Sequence, residues 1–260
     1  MKRLLLSVGA AAASLVVASV AFAQTPGVNI NWGACYGDGP VTSNKASACT
    51  SNSGNNSLVV SYVSPSDVAQ MSGNEAVIDL ISQTASLPSW WQMLTTPESG
   101  CRTGAITSNA IYGGPATGCT DFWAGAAAGG IAAVHQNPPP GGWSISPGDT
   151  AAHARIIIAF AVPASGIGPI THGVEYFSCN VVITNAKSVN SACTGCSTPV
   201  CLVLNSVKVT TPTPLAGTDV TISGATTAGS NEITWQGAGA NCASVPVRNV
   251  TWGAVKALYR

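Results

Sequence analysis

Nine cysteines are the residues of this chain best equipped for chemistry. Three of them, Cys193, Cys196 and Cys201, crowd into the loop sequence CTGCSTPVC. Thiols at such spacing either oxidise to disulfides or ligate a soft metal such as zinc. No histidine lies near them in sequence, and an oxidising compartment selects the disulfide. Local spacing points to Cys35–Cys49 across one polar loop and Cys101–Cys119 across another. Cys193, Cys196, Cys201 and Cys242 would form two further bonds, in an order that spacing leaves open. Cys179 is the odd one. It alternates with Phe177 and Val181, so it is expected to be a free thiol on a core face.

A second group is aromatic. Trp90 and Trp91 are adjacent in LPSWWQML. Exposed indoles form platforms on which sugar rings stack, whereas buried ones form a lid over a core. Two neighbours on a strand face opposite ways, so one Trp should cap the core and the other meet solvent or a loop. The lid is the preferred reading and a glycan site the alternative. The remaining polar residues assemble no catalytic set. There is no Gly-x-Ser-x-Gly elbow and no phosphate-cradling glycine loop. His135, His153 and His172 follow no metal-binding spacing. Asp121, Asp149 and Glu175 are the carboxylates that could meet in space. The expectation is a protein without catalytic activity, cofactor or metal.

The N-terminus carries an address. Lys2 and Arg3 precede an uncharged, mostly apolar run from Leu4 to Val20, and Ala21-Phe22-Ala23 has the small-x-small form of a cleavage site. Residues 1–23 therefore read as a signal peptide and 24–260 as a single exported domain. No later stretch is long and apolar enough to span a bilayer. A secreted protein, extracellular or periplasmic and without a transmembrane anchor after cleavage, is expected. Charged residues make up only 8% of the chain, against ~25% in an ordinary soluble domain. Loss of Lys2 and Arg3 leaves 8 basic and 10 acidic residues, too few cations for a phosphate-binding face, which excludes a nucleic-acid partner. Low charge also leaves little repulsion against self-association. With 46% hydrophobic residues the chain can bury a core, and disorder is excluded.

The elements that must position these residues are strands. VNINW, Leu58–Val63 and Glu75–Ser82 come first; in the third, Ala76, Ile78 and Leu80 face inward and Val77 and Asp79 outward. DFWAGAAAGGIAAV suggests one short helix at most, because its glycines disfavour helix. Ala154–Val162 puts Ile156, Ile158, Phe160 and Val162 on one face and Arg155 on the other. Val174–Thr210 reads as a long hairpin stapled at its cysteine loop. Two short strands, Val220–Ser223 and Glu232–Gln236, follow. Trp252, Val255, Leu258 and Tyr259 stand at helical intervals in the tail. Many short strands without a βαβ rhythm mean an all-β, antiparallel sandwich or jelly roll with disulfide-bonded loops and a short C-terminal helix.

The succession ARIIIAFAV, THGVEYFSCNVVI, CLVLNSVKVT resembles the later strands of the cohesin and carbohydrate-binding sandwich group, over roughly residues 58–236. The tail Trp252–Arg260 is similar to that of exported bacterial β-sandwich proteins of unknown role. The first resemblance implies a cohesin-like sandwich and the second supports the address. Together with the absent catalytic set they lead to an expected role in adhesion or assembly through protein contacts at the cell exterior.

Overall fold

In a computed structural model the described residues are 24–93, 100–114, 118–137, 151–212, 218–237 and Cys242. They form thirteen strands, in chain order β1 (Gly27–Trp32), β2 (Asn44–Lys45), β3 (Asn55–Val63), β4 (Val68–Met71), β5 (Gly73–Ser82), β6 (Ile106–Asn109), β7 (Ala128–Asn137), β8 (His153–Ala161), β9 (Gly168–Ile170), β10 (Glu175–Thr184), β11 (Val200–Thr210), β12 (Val220–Ser223) and β13 (Glu232–Trp235). Among them lie three short 3-10 turns and no α-helix. The smaller sheet runs β1, β3, β10, β6. The larger runs β2, β13, β11, β5, β8, β7, with β12 also paired to β11, and β4 and β9 form a ribbon of two. Pairing is antiparallel except between β2 and β13. The fold is all-β, with two sheets packed around a shared core.

That core follows from period-two alternation. Ala76, Ile78 and Leu80 of β5 and Ile156, Ile158 and Phe160 of β8 are buried toward the smaller sheet, where Leu58, Val60, Cys179, Val181 and Ile183 meet them. Each fully buried aliphatic side chain contributes about 1.5–3 kcal/mol.

The long hairpin does not exist. β10 pairs with β3 and β6 in one sheet, while β11 pairs with β5, β12 and β13 in the other. The cysteine loop carries the chain between sheets, a step that alternation within each strand cannot reveal. A bulge also interrupts β10: Phe177 pairs with Ser61 but Cys179 with Val60. Ser61 and Val60 are neighbours on opposite faces, so the extra residue turns Phe177 away from the face of Cys179. Phe177 packs instead against Tyr112, with ring centroids 5.1 Å apart.

The stretch expected to hold a short helix contains β7. A Cβ at Gly129 would lie 2.1 Å from the Ala159 carbonyl oxygen, so this strand backs onto β8 more closely than any side chain allows. Residues 1–23, Pro138–Gly142, Asp149 and the tail Trp252–Tyr259 lie outside the described residues.

Candidate assembly edge and the residues around it

Eight cysteines form four disulfides, but not by local pairing. The bonds are Cys35–Cys119, Cys49–Cys196, Cys101–Cys193 and Cys201–Cys242. The expected Cys35–Cys49 and Cys101–Cys119 bonds are therefore corrected. Of the two bonds expected within the last group, only Cys201–Cys242 forms there. The reason is topological: the loops holding Cys35 and Cys49 reach segments 84 and 147 residues away, brought beside them by the sheets. With three different partners, the thiols of the CTGC loop are engaged as disulfides rather than as ligands of one metal. Cys179 is free and buried, and burial pushes its thiol up to about 12. Four disulfides suggest an oxidising environment, and no described helix is long and apolar enough to cross a membrane.

Trp90 and Trp91 are 0% and 1% exposed, so neither offers a face to a sugar. They sit on the 3-10 turn Ser89–Trp91 rather than on a strand. At three residues per turn, successive side chains need not point apart, and both enter the core. Their rings meet Trp235 at 5.3 and 5.7 Å, and Trp32 adds a fourth ring at 6.0 Å from Trp235. Arg102, 1% exposed, lays its guanidinium carbon 3.5 Å from the Trp90 ring centroid and donates to the carbonyls of Trp90 and Thr184. This is a structural plug.

The polar candidates scatter. Asp121 accepts from the Trp123 amide in its own turn, and the His172 amide donates to Asp67. His135 stands on β7 opposite Arg155. Glu175 meets not Asp121 but Asn29 and Ser61, whose Nδ2 and Oγ donate to its Oε1 at 3.0 and 2.5 Å. Burial pushes its carboxyl up; the Ser61 and Asn29 hydrogen bonds oppose this, and the charge of Asp38 adds to the rise. On the outer face of the larger sheet, Asp79 accepts from Arg155 and Asn205, and His153 Nε2 lies 3.1 Å from its Oδ1. Burial alone would raise the Asp79 carboxyl, but His153 and Arg155 hold it down at about 2. Sequence reasoning missed both clusters, because their members come from strands distant in the chain. The outward-facing Asp79 and Arg155, each within an apolar strand, and the candidate carboxylate Glu175 were the available signs. The Ser61 hydroxyl is aligned on the Glu175 carboxylate, but both groups are buried, at 0% and 2% exposed.

The sheet edges are unequal. On one side of the sandwich β1 is closed off: the amides of Val28, Ile30 and Trp32 donate to Gly224, Ser230 and Thr42. On the other side β6 and β7 lie side by side, and among the described residues no backbone ladder joins them or continues past β7. The β7 sequence, AGGIAAVHQN, contains no Lys, Arg, Asp, Glu or Pro. Those are the residues with which natural edges are commonly blocked. Ala128, Gly129 and the bulged Ala132 are exposed, and Ile111, just beyond β6, is 71% exposed.

Comparison of the chain with family models, curated proteins and solved structures gives no match.

Proposed function

We propose that this is a secreted, non-catalytic assembly module that joins copies of itself at the cell exterior through the β7 edge. The observation that carries the reading is an uncharged terminal strand of a broad sheet, bearing exposed small residues and paired with β8 on one side only among the described residues. Such an edge accepts an extended strand by hydrogen bonds alone. A second copy suits it best. Two β7 strands can pair antiparallel about a two-fold axis, continuing the sheet through an isologous contact, and no like charges in β7 oppose their approach. The low charge of the whole chain works in the same direction. The signal-like N-terminus and the disulfides support the exterior location. An extended segment of another exported protein would use the same edge.

Sedimentation velocity of the exported, oxidised protein over a hundredfold concentration range tests this. The expected result is concentration-dependent dimerisation. A strictly monomeric protein that instead hydrolyses a polysaccharide or peptide in a broad screen would replace this reading with that of an enzyme.

A further inference from the structure

Asn29 of β1 lies between a hydroxyl and a carboxyl. Thr226, in the loop between β12 and β13, donates from its Oγ1 to Asn29 Oδ1. On the other side Asn29 Nδ2 donates to Glu175 Oε1 at 3.0 Å. We propose that Thr226 and Asn29 join in an ester, formed by the protein itself with Glu175 as the catalytic acid and base.

The reacting groups are held by backbone. The amides of Val28 and Ile30, on either side of Asn29, donate to the carbonyls of Gly224 and Ser230, on either side of Thr226, at 2.8 Å each. A Cβ at Gly27 would lie 2.7 Å from the Thr226 amide nitrogen, so strand and loop approach more closely than a side chain allows. The Asn29 carboxamide carbon is one bond, ~1.2 Å, from the oxygen that Thr226 already touches. That sets the hydroxyl oxygen near the ~3–3.5 Å of a near-attack pair. Asn29, Ser61 and Glu175 are buried, so water is kept from competing in the attack and from hydrolysing the product.

The third group distinguishes this arrangement from an ordinary hydrogen-bonded pair. A hydroxyl and a carboxamide satisfy one another without help, and a buried carboxyl is costly. Glu175 stands on the nitrogen that would leave. Ser61 Oγ fixes it there by donating to the same Oε1, and its raised carboxyl keeps a proton to give. In the reaction Thr226 Oγ1 attacks the Asn29 side-chain carbon. Once Oγ1 and Nδ2 sit on one tetrahedral carbon, a carboxyl that reaches Nδ2 can give it a proton and take that of Oγ1. The Oγ1–C bond forms, the C–Nδ2 bond breaks and ammonia leaves. No oxidant, reductant or co-reactant is needed. The product ties β1 to the β12–β13 loop, which none of the four disulfides does.

The test is peptide mapping of the exported, oxidised protein after reduction, alkylation and digestion with trypsin. Asn29 falls in the peptide 24–45 and Thr226 in the peptide 209–248. The expected result is that the two remain joined, through Asn29 and Thr226, at a mass one ammonia below their sum. Brief alkali should part them, with a carboxylate in place of the Asn29 amide. Loss of ammonia from Gln24 at a cleaved N-terminus lightens the first peptide alone and joins nothing. Thr226→Val and Glu175→Gln should each lose the link. Both peptides recovered unlinked from the folded wild-type protein overturn the proposal. So does a link at other residues, one that resists alkali, or one that survives either substitution. Thr226→Val lacks the link whichever residue stands at position 175, so the effect of the Glu175 charge on stability is read in that background. A protein that stays monomeric can still carry the ester, so this outcome is independent of the β7 edge.

Discussion

Arg155 stands directly across from Asp79 on the neighbouring strand and holds both of its carboxylate oxygens, at 2.7 and 2.9 Å. Asn205, at the bulge of β11, completes the set from the other side. The carboxylate is only 3% exposed, so its partners rather than water keep it ionised. A carboxyl held below its unfolded value stabilises the fold above that value, about 4, and loses this contribution as pH falls through its folded value of about 2. Asp79→Asn should destabilise the protein by roughly 2–3 kcal/mol at neutral pH, since it removes the charged acceptor of the two Arg155 hydrogen bonds and the Asn205 one. It should also flatten the loss of stability between about pH 4 and pH 2. Urea denaturation at a series of pH values measures both.

Glu175 behaves with the opposite sign. Its carboxyl is raised, so the folded state holds the proton more tightly than the unfolded chain. Stability from this site is present at low pH and falls as pH rises from the ordinary glutamate range through the raised folded value. Glu175→Gln keeps the shape and removes the charge. It should therefore increase stability at neutral pH and abolish that part of the pH dependence, read by the midpoint of urea unfolding at pH 4 and pH 8.

Peptide mapping of the unreduced protein should recover Cys35–Cys119, Cys49–Cys196, Cys101–Cys193 and Cys201–Cys242. Cys49–Cys196 closes a span of 147 residues and Cys201–Cys242 one of 41. By loop-closure entropy, replacing the first pair with serines should cost roughly 1 kcal/mol more than replacing the second, within about 2–5 kcal/mol for each. Cys179 should stay unreactive toward a thiol reagent in the native protein and react at once in denaturant, because the thiolate is the reactive form and burial suppresses it.

Ala132 is the extra residue of the β7 bulge and is exposed. Ala132→Lys places a charge on the edge without touching the core. It should abolish concentration-dependent association in sedimentation velocity while shifting stability by no more than about 0.5 kcal/mol. Association that persists unchanged would place the contact elsewhere.

For β5 and β8, strand content and facing were legible in the residues themselves. Ala76, Ile78 and Leu80, and Ile156, Ile158 and Phe160, alternate with more polar or more exposed neighbours, and period two allows only one buried face. The buried, unpaired state of Cys179 followed from the same pattern. Partner choice was not legible. β10 and β11 are successive, yet they join different sheets, because a strand's own alternation is the same whichever neighbour it pairs with. The cystines inherited that ambiguity: Cys49 lies beside Cys196 only after the sheets have formed. The tryptophan pair caps the core, as preferred, but with both rings rather than one, since a 3-10 turn rather than a strand lets Trp90 and Trp91 enter one core together. What the residues determined alone was an all-β chain rich in half-cystines and poor in charge. The tertiary structure decided which strands end the sheets, which loops are bonded, and which polar groups share a buried face, because each of those is a contact between segments far apart in the chain.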